Sequence, residues 1–453
     1  MTSETASSEC SRRAFLRAGA ATTATAASLG TSGCLWLMGT RQQQIQAIRQ
    51  QRQRVGGAPI SFASQRHRIT PQMADRVAHT RSQLINAVGT SETTVWIPGD
   101  AGIDLTGESR ITIANNVTIA SNRNLKSGTG GLIKTNDQQN SAVFITANSD
   151  VNFRVTGVRL KGPRTDRFDP REHGRSEYDF AVTGFRAYGS SVIVDNCEVF
   201  GWTAAGFIPG TKETPTQGWF HHNSMHHNQM EHLGYPMDLQ NGLHLIEWNY
   251  FDANRHSIAG FGHPENGYEA RFNVVGPQSM SHAFDMHYLG ENMGTNNKVA
   301  GKFVNIHHNV FELTSNSAFS IQGYPRRYAR FCKNWCAAPK GGAAHGDPEG
   351  VVFFLDGADV RVKNNRYNTV TPGRQWLQQL AAQLAKRSNS VLPTQPSLSG
   401  LGLGLTIQQP PSLSRQTGTS TPSHQPASTP TASTHKRVNP MTGTPLTAVG
   451  GKR

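Results

Sequence analysis

Asparagine recurs at near-constant spacing through the middle of this 453-residue chain: Asn196, Asn223, Asn249, Asn273, Asn309 and Asn334. The gaps are 27, 26, 24, 36 and 25 residues. An alternating apolar run precedes each Asn and large apolar residues follow it, as in Ile246-Glu247-Trp248-Asn249-Tyr250-Phe251 and Ile306-His307-His308-Asn309-Val310-Phe311. A fixed repeat of this length with strand-like alternation is a solenoid. Asn tolerates the left-handed backbone that a tight corner needs, and stacked Asn side chains can bond from coil to coil. Gly, Thr, Val and Asn are too frequent between the repeats for a helical solenoid. The predicted fold is all-β: a right-handed parallel β-helix, capped by short helices at both ends.

The net charge of +14 is unevenly placed. Residues 91–375 hold 26 Lys+Arg against 27 Asp+Glu, whereas residues 41–90 and 376–453 carry +7 each. The basic flanks point to an anionic membrane surface or a wall polymer as partner. They lack the aromatic interleaving of a nucleic-acid interface, so no nucleic acid is expected. A monomer is expected.

Five segments follow from these shifts in composition. Ser11-Arg12-Arg13-Ala14-Phe15-Leu16-Arg17 resembles the twin-arginine export motif, and Thr31-Ser32-Gly33-Cys34 resembles a lipoprotein cleavage box. Residues 1–34 are therefore expected to be an export signal, with Cys34 as the lipidation site and the cell envelope or exterior as destination. Residues 35–69 form a basic Gln/Arg-rich spacer, with a helical run over 41–54. Residues 70–371 are the β-helix, opened by a cap helix with Thr70 as N-cap and Pro71 at its first position. Its first strands are expected at 94–97, 111–113 and 117–119. Residues 372–387 are a C-terminal cap helix, with Trp376, Leu377, Leu380 and Leu384 at helical spacing. Residues 388–453, rich in Ser, Thr and Pro, are a disordered tail. The five Cys give no disulfide framework: Cys197 reads as core filler, and Cys332 and Cys336 read as packed thiols.

The entry segment Thr94-Val95-Trp96-Ile97-Pro98-Gly99 resembles the first coil of pectate-lyase-like β-helix proteins. Residues 218–335 resemble a group of secreted right-handed β-helix proteins, carried by His221-His222-Asn223, Tyr268-Glu269-Ala270-Arg271 and His282-Ala283-Phe284-Asp285-Met286-His287. The resemblance covers about residues 80–370 and implies the fold and an exported location. Enzymes of acidic polysaccharides dominate that fold class. A shorter run is similar to mannuronan C5-epimerases, whose Tyr-Gly-Phe-Asp-Pro-His segment supplies active-site Tyr, Asp and His. Here Asp285 and His287 match, His282 stands where the Tyr would be, and Met286 replaces the Pro.

Strand parity assigns faces. The column three residues before each repeated Asn is Phe220, Ile246, Ala270, Ile306 and Phe331, apolar and hence inward. Its neighbours point outward: His221, Glu247, Arg271 and His307 on one side, with Glu269 among those on the other. Phe284 and Met286 read inward, which turns Asp285 and His287 outward. In that register the preceding coils offer Phe261 and His263, then Tyr235 and Met237. Residues 288–302 make the coil after Asn273 about ten residues too long and should overhang Asp285 and His287. Arg255 projects outward towards Glu269. His256 and His282 read inward unless a bulge re-aims them.

These residues suit removal of the C5 proton of a uronate within an extended, acidic polysaccharide, by a lyase or an epimerase. His287 is the expected base, oriented by Asp285. Arg271 and Arg255 would neutralise the uronate carboxylate. His282 or Tyr235 would supply a proton. Glu269 and His256 complete the catalytic set; Tyr235, His263, His221, Glu247 and His307 are the expected substrate contacts. Glu247 or Glu269 with Asp285 would instead serve a glycoside hydrolase, and a non-catalytic surface module binding glycan or protein is the alternative of a different class. The spacing admits a metal at His287, Asp285 and His263, calcium included, without demanding one.

Overall fold

The computed structural model describes residues 69–123, 128–164, 180–189, 191–291, 293–340, 351–355 and 357–388. The export signal, Cys34, the 41–54 helical run and the tail lie outside the described residues, as does the side chain of Leu384. The chain folds as a parallel β-helix with three faces. The first is an eleven-stranded sheet, the second a nine-stranded sheet, and the third a six-stranded sheet continued by a three-stranded one. Successive coils pair in parallel register with no slip along the first face: Val194, Phe220, Ile246, Ala270, Ile306 and Phe331 lie side by side. All six are fully buried, as the parity reading expects. On the third face the inward column includes Phe144, Phe185 and Phe207, whose rings stack with centroids 4.6 and 4.8 Å apart.

The Asn column is a continuous buried ladder. Asn223, Asn249, Asn273, Asn309 and Asn334 each donate from Nδ2 to a backbone carbonyl of the preceding coil and to Oδ1 of the next Asn, and Asn365 closes the row. Each Oδ1 also accepts the backbone N–H of the Asn before it. The left-handed corner residue is not the ladder Asn but the residue ahead of it. His222, Trp248, Phe272, His308 and Lys333 all have φ of +56° to +58°. Asn196, at φ +57°, belongs to that corner column, and Cys197 takes the ladder position, its backbone N–H donating to Asn223 Oδ1 at 2.9 Å. A left-handed non-glycine residue costs about 1–2 kcal/mol, and the ladder bonds on its far side hold it there.

Ala replacement of Asn273 tests this. It strands Ile246 O, the Asn249 N–H and one lone pair of Asn309 in the interior. At about 1–3 kcal/mol for a buried unsatisfied group, Asn273→Ala should lower unfolding free energy by about 3 kcal/mol in urea titration.

The two helices differ from expectation in place. The Pro71–Met73 segment is only a 3-10 turn, and Thr70 makes no side-chain cap. The helix α1 runs from Arg81 to Val88, where Thr80 and Gln83 form a reciprocal capping box. Its Leu84, Ala87 and Val88 are buried over the first coil. Val77, which a helix opened at Pro71 would include, instead pairs as a strand with Trp96. The second helix, α2 (Thr371–Ser388), packs Trp376, Leu377 and Leu380 against Trp248, Tyr250, Val274, Val310 and Trp335. It lies on the outside of the second face and not over the open end, because Tyr250, Val274, Val310 and Trp335 form an outward apolar row that needs cover. Cys197 is buried, and burial pushes its thiol up to about 12. Cys332 and Cys336 are unbridged.

Candidate functional site

The outward polar residues named by parity fall into two groups on different faces. Tyr268, fully buried, points inward from the first face and crosses the core to donate to the backbone carbonyl of Asp285 at 3.1 Å. Its neighbours Glu269 and Arg271 therefore point away from Asp285, on the opposite side of the solenoid.

On that first face Arg271 bridges Glu247 at 2.8 Å and Glu269 at 2.9 Å. Trp219 Nε1 donates to Glu247, and His307 Nε2 meets Glu269 at 3.2 Å. His221 stacks on Trp219 and bonds the corner residue His222 through their Nδ1 atoms. Glu247 and Glu269 are buried by this network. Burial would raise the Glu269 carboxyl, but His307 and Arg271 overrule it and hold the group below its ordinary value. Each charge is spent on a neighbour in its own strand or the adjacent coil. Arg271, Glu269, Glu247, His221 and His307 thus form a cross-coil ladder, remote from Asp285 and His287.

The second group gathers on the third face. Asp285 leaves the strand Phe284–Met286 outward, as alternation expects, but lies fully buried beneath three imidazoles. Its Oδ2 is 2.6 Å from His287 Nε2, 3.1 Å from His282 Nε2 and 3.6 Å from His256 Nε2. Gln322 Nε2 sits 3.2 Å from both carboxylate oxygens. Burial would raise this carboxyl, yet His287 and His282 hold it well below the usual range. His287 is gripped from both sides, since its Nδ1 lies 2.7 Å from Glu291 Oε2. Burial would lower its pKa, but Asp285 and Glu291 push it up to about 10. Held there, His287 keeps its proton at neutral pH and stands as an acid where the sequence suggests a base. Glu291 belongs to the overlong 288–302 segment, which does wall the site.

His256 is fully buried. It follows the strand Tyr250–Asp252 in a stretch with no strand of its own, so parity does not apply to it. Its ring stacks on His282 at 4.3 Å and on Tyr235 at 5.5 Å. Burial, with His282 and Arg255 nearby, holds it well below the ordinary histidine range and hence neutral. Arg255 does not reach Glu269; its Nη1 donates to Tyr235 Oη at 2.7 Å and to the His232 carbonyl at 3.2 Å. Tyr235 is itself buried and donates to the same carbonyl. Its burial raises the phenol above its usual value.

The register of this face differs by two residues from the sequence reading. Ile258 pairs with Phe284, which brings Ala259 beside Asp285 and Phe261 beside His287. On the coil before, Asp238 pairs with Ala259. His263 falls beyond the strand, next to Glu265, and does not join Asp285. The missed residue is Asp238. It is partly exposed between the buried Met237 and Leu239, and Gln240 donates to it at 2.7 Å. Burial pushes its carboxyl up to about 6, against the opposing pull of Gln240, His287 and Arg186.

Asp238 and Asp285 stand two coils apart, about 9–10 Å at the backbone. Between them in the same outward column stands Ala259, itself buried, whereas Gly260 lies in the inward column beside Leu239 and Met286. One column of the third face thus carries a carboxylate of raised pKa, Asp238, two coils from the Asp285–His287 pair. The ligand atoms of His256, Asp285 and His287 lie within 4.8 Å of one another, the geometry of a candidate metal centre. No protein-family model matches the chain, and no curated protein matches it.

Proposed function

We propose that this protein is an exported carbohydrate-active enzyme that removes the C5 proton of a uronate within an extended acidic polysaccharide, as a lyase or C5-epimerase. The observation that carries the reading is the shared outward column: Asp238 two coils from the Asp285–His287 pair, with only the small Ala259 between them. Removing a proton next to a carboxylate needs a base of near-neutral pKa and a positive group beside the anion that develops. Asp238 is the base in this account. The cationic pole around His287 neutralises the uronate carboxylate, the role that the sequence suggests for Arg271 and Arg255. The exposed Arg186 lies in the same outward column as Asp238 and extends positive charge along the path of a linear polymer. The Phe-Asp-x-His run at 284–287 supports the same chemistry.

Two measurements test this. The purified protein is incubated with uronate-containing and neutral polysaccharides while unsaturated product, reducing ends and proton NMR are followed together. Unsaturated ends mean a lyase, and an altered epimer ratio means an epimerase. Glycan binding without any product would replace this reading with a binding module. The second is a pH profile. Only ionised Asp238 accepts a proton, so the initial rate should fall about tenfold per unit as pH drops below about 6 and level off above it. A rate independent of pH between 4 and 7 would remove Asp238 from the role. The same raised carboxyl weighs against folding at neutral pH, and this cost disappears as pH falls from 7 to 4.

A further inference from the structure

We infer that His256, His282, Asp285 and His287 form a binding site for one divalent transition-metal ion of the zinc type. The inference rests on the geometry of the cluster and stands whether or not the glycan reading does. Three imidazole Nε2 atoms converge on a single carboxylate oxygen, at 2.6, 3.1 and 3.6 Å. A tetrahedral ion with metal–nitrogen distances near 2.0–2.1 Å separates its ligand atoms by about 3.3 Å. The ligand atoms of His256, Asp285 and His287 already stand within 4.8 Å of one another, and His282 Nε2 reaches Asp285 Oδ2 at 3.1 Å beside them.

The tautomer of His256 is set for ligation. His256 Nδ1 lies 2.7 Å from the carbonyl of His282, so it carries the hydrogen and leaves the Nε2 lone pair bare. That bare nitrogen is fully buried, has no hydrogen-bond partner, and faces the Asp285 carboxylate. Two electron-rich atoms in contact inside a protein are unfavourable unless a cation lies between them. His282 Nε2 is likewise buried without a hydrogen-bond partner. His287 Nδ1 is bonded to Glu291, giving the carboxylate–histidine–metal arrangement that orients ligating imidazoles. Stacking of His256 between Tyr235 and His282 fixes ring directions in advance.

The donor set selects the ion. Three imidazoles and one carboxylate suit zinc and its first-row neighbours. Calcium asks for six to eight oxygens, and this cluster offers a single carboxylate. The partly exposed rings of His282 and His287 are the way in.

The test uses the full chain, purified without a histidine tag, stripped with chelator and titrated with zinc chloride against a chromogenic competitor. The expected result is one zinc per chain. His256→Ala and His287→Ala should each abolish competition, and Glu291→Gln should weaken binding about 10- to 100-fold. His263→Ala should leave it unchanged. Far-UV dichroism of each variant separates a lost ligand from a lost fold, and Glu291→Gln, at the solvent edge, keeps the test open if a buried variant unfolds. Cobalt loading should give the intense visible bands of a four-coordinate site in the parent and not in His256→Ala. No zinc uptake by the folded parent, or equal uptake by folded His256→Ala and His287→Ala, would overturn the site. The readout is the metal itself, so failure here leaves the glycan chemistry standing, and the reverse holds too.

Discussion

Asp238→Asn should lower turnover on the responsive polysaccharide by about 10²–10⁴-fold, the usual contribution of a positioned general base. The substitution keeps the shape of the side chain and removes its proton affinity. Asp238 lies partly exposed on a strand whose inward residues, Met237 and Leu239, are fully buried. The fold should therefore be unchanged, with a thermal midpoint within a few degrees of the parent. Substrate affinity should change far less than turnover, because the cationic pole around His287 is intact. A weakened KM with turnover preserved would make Asp238 a binding residue. Unchanged kinetics would remove the Asp238–Asp285 column as the reaction site.

Arg154→Ala should destabilise the coil stack by about 3–5 kcal/mol, the cost of leaving one member of a buried ion pair alone. Arg154 grips Asp195 in two bonds, Nε to Oδ1 at 2.7 Å and Nη2 to Oδ2 at 2.9 Å. Thr156 and Asn196 donate to the same Oδ2 at 2.8 Å each. The Asp195 side chain is 1% exposed, so water cannot replace the guanidinium. Burial would raise this carboxyl, but Arg154 overrules it and holds the group far below the usual range. A depressed folded pKa contributes stability above the unfolded value near 4, and that contribution is lost as pH falls. The parent's stability should thus decline in acid more steeply than that of a double Arg154→Leu, Asp195→Leu variant, which has no buried charge to strand. Urea titrations at pH 7 and at about pH 2, well below the unfolded value, measure both effects. A cost below about 1 kcal/mol for Arg154→Ala would mean that the pair is solvated.

The fold was legible because one requirement, a buried amide ladder, writes a single residue type into six successive coils, from Asn223 to Asn365. Its details were less so. The ladder position was misread by one residue at Asn196-Cys197, since both corner and ladder columns accept Asn and only stacking tells them apart. Nothing in the sequence marks His222, Trp248 or Phe272 as left-handed; tertiary bonding holds them against local preference. Parity placed Asp285 and His287 outward, and it also placed Glu247, Glu269 and Arg271 outward. It carries no information on which of three faces a strand occupies, so residues on opposite sides of the core were joined into one site. His256 is named for the catalytic set but reads inward by an alternation that has no meaning outside a strand. Asp238 had a readable signal, an acid between Met237 and Leu239, but a register displaced by two residues at Ala259 and by three on its own coil hid its alignment with Asp285.

The most direct test of the proposed chemistry follows the C5 proton itself. The polysaccharide that responds in the panel is incubated with the protein in D₂O, and the H5 resonance is integrated over time for the parent and for Asp238→Asn. The account predicts loss of the H5 signal with the parent, through deuterium at C5 in an epimerase or a C4–C5 double bond in a lyase, and almost none with Asp238→Asn. Full retention of H5 while reducing ends accumulate would show glycoside hydrolysis and contradict it.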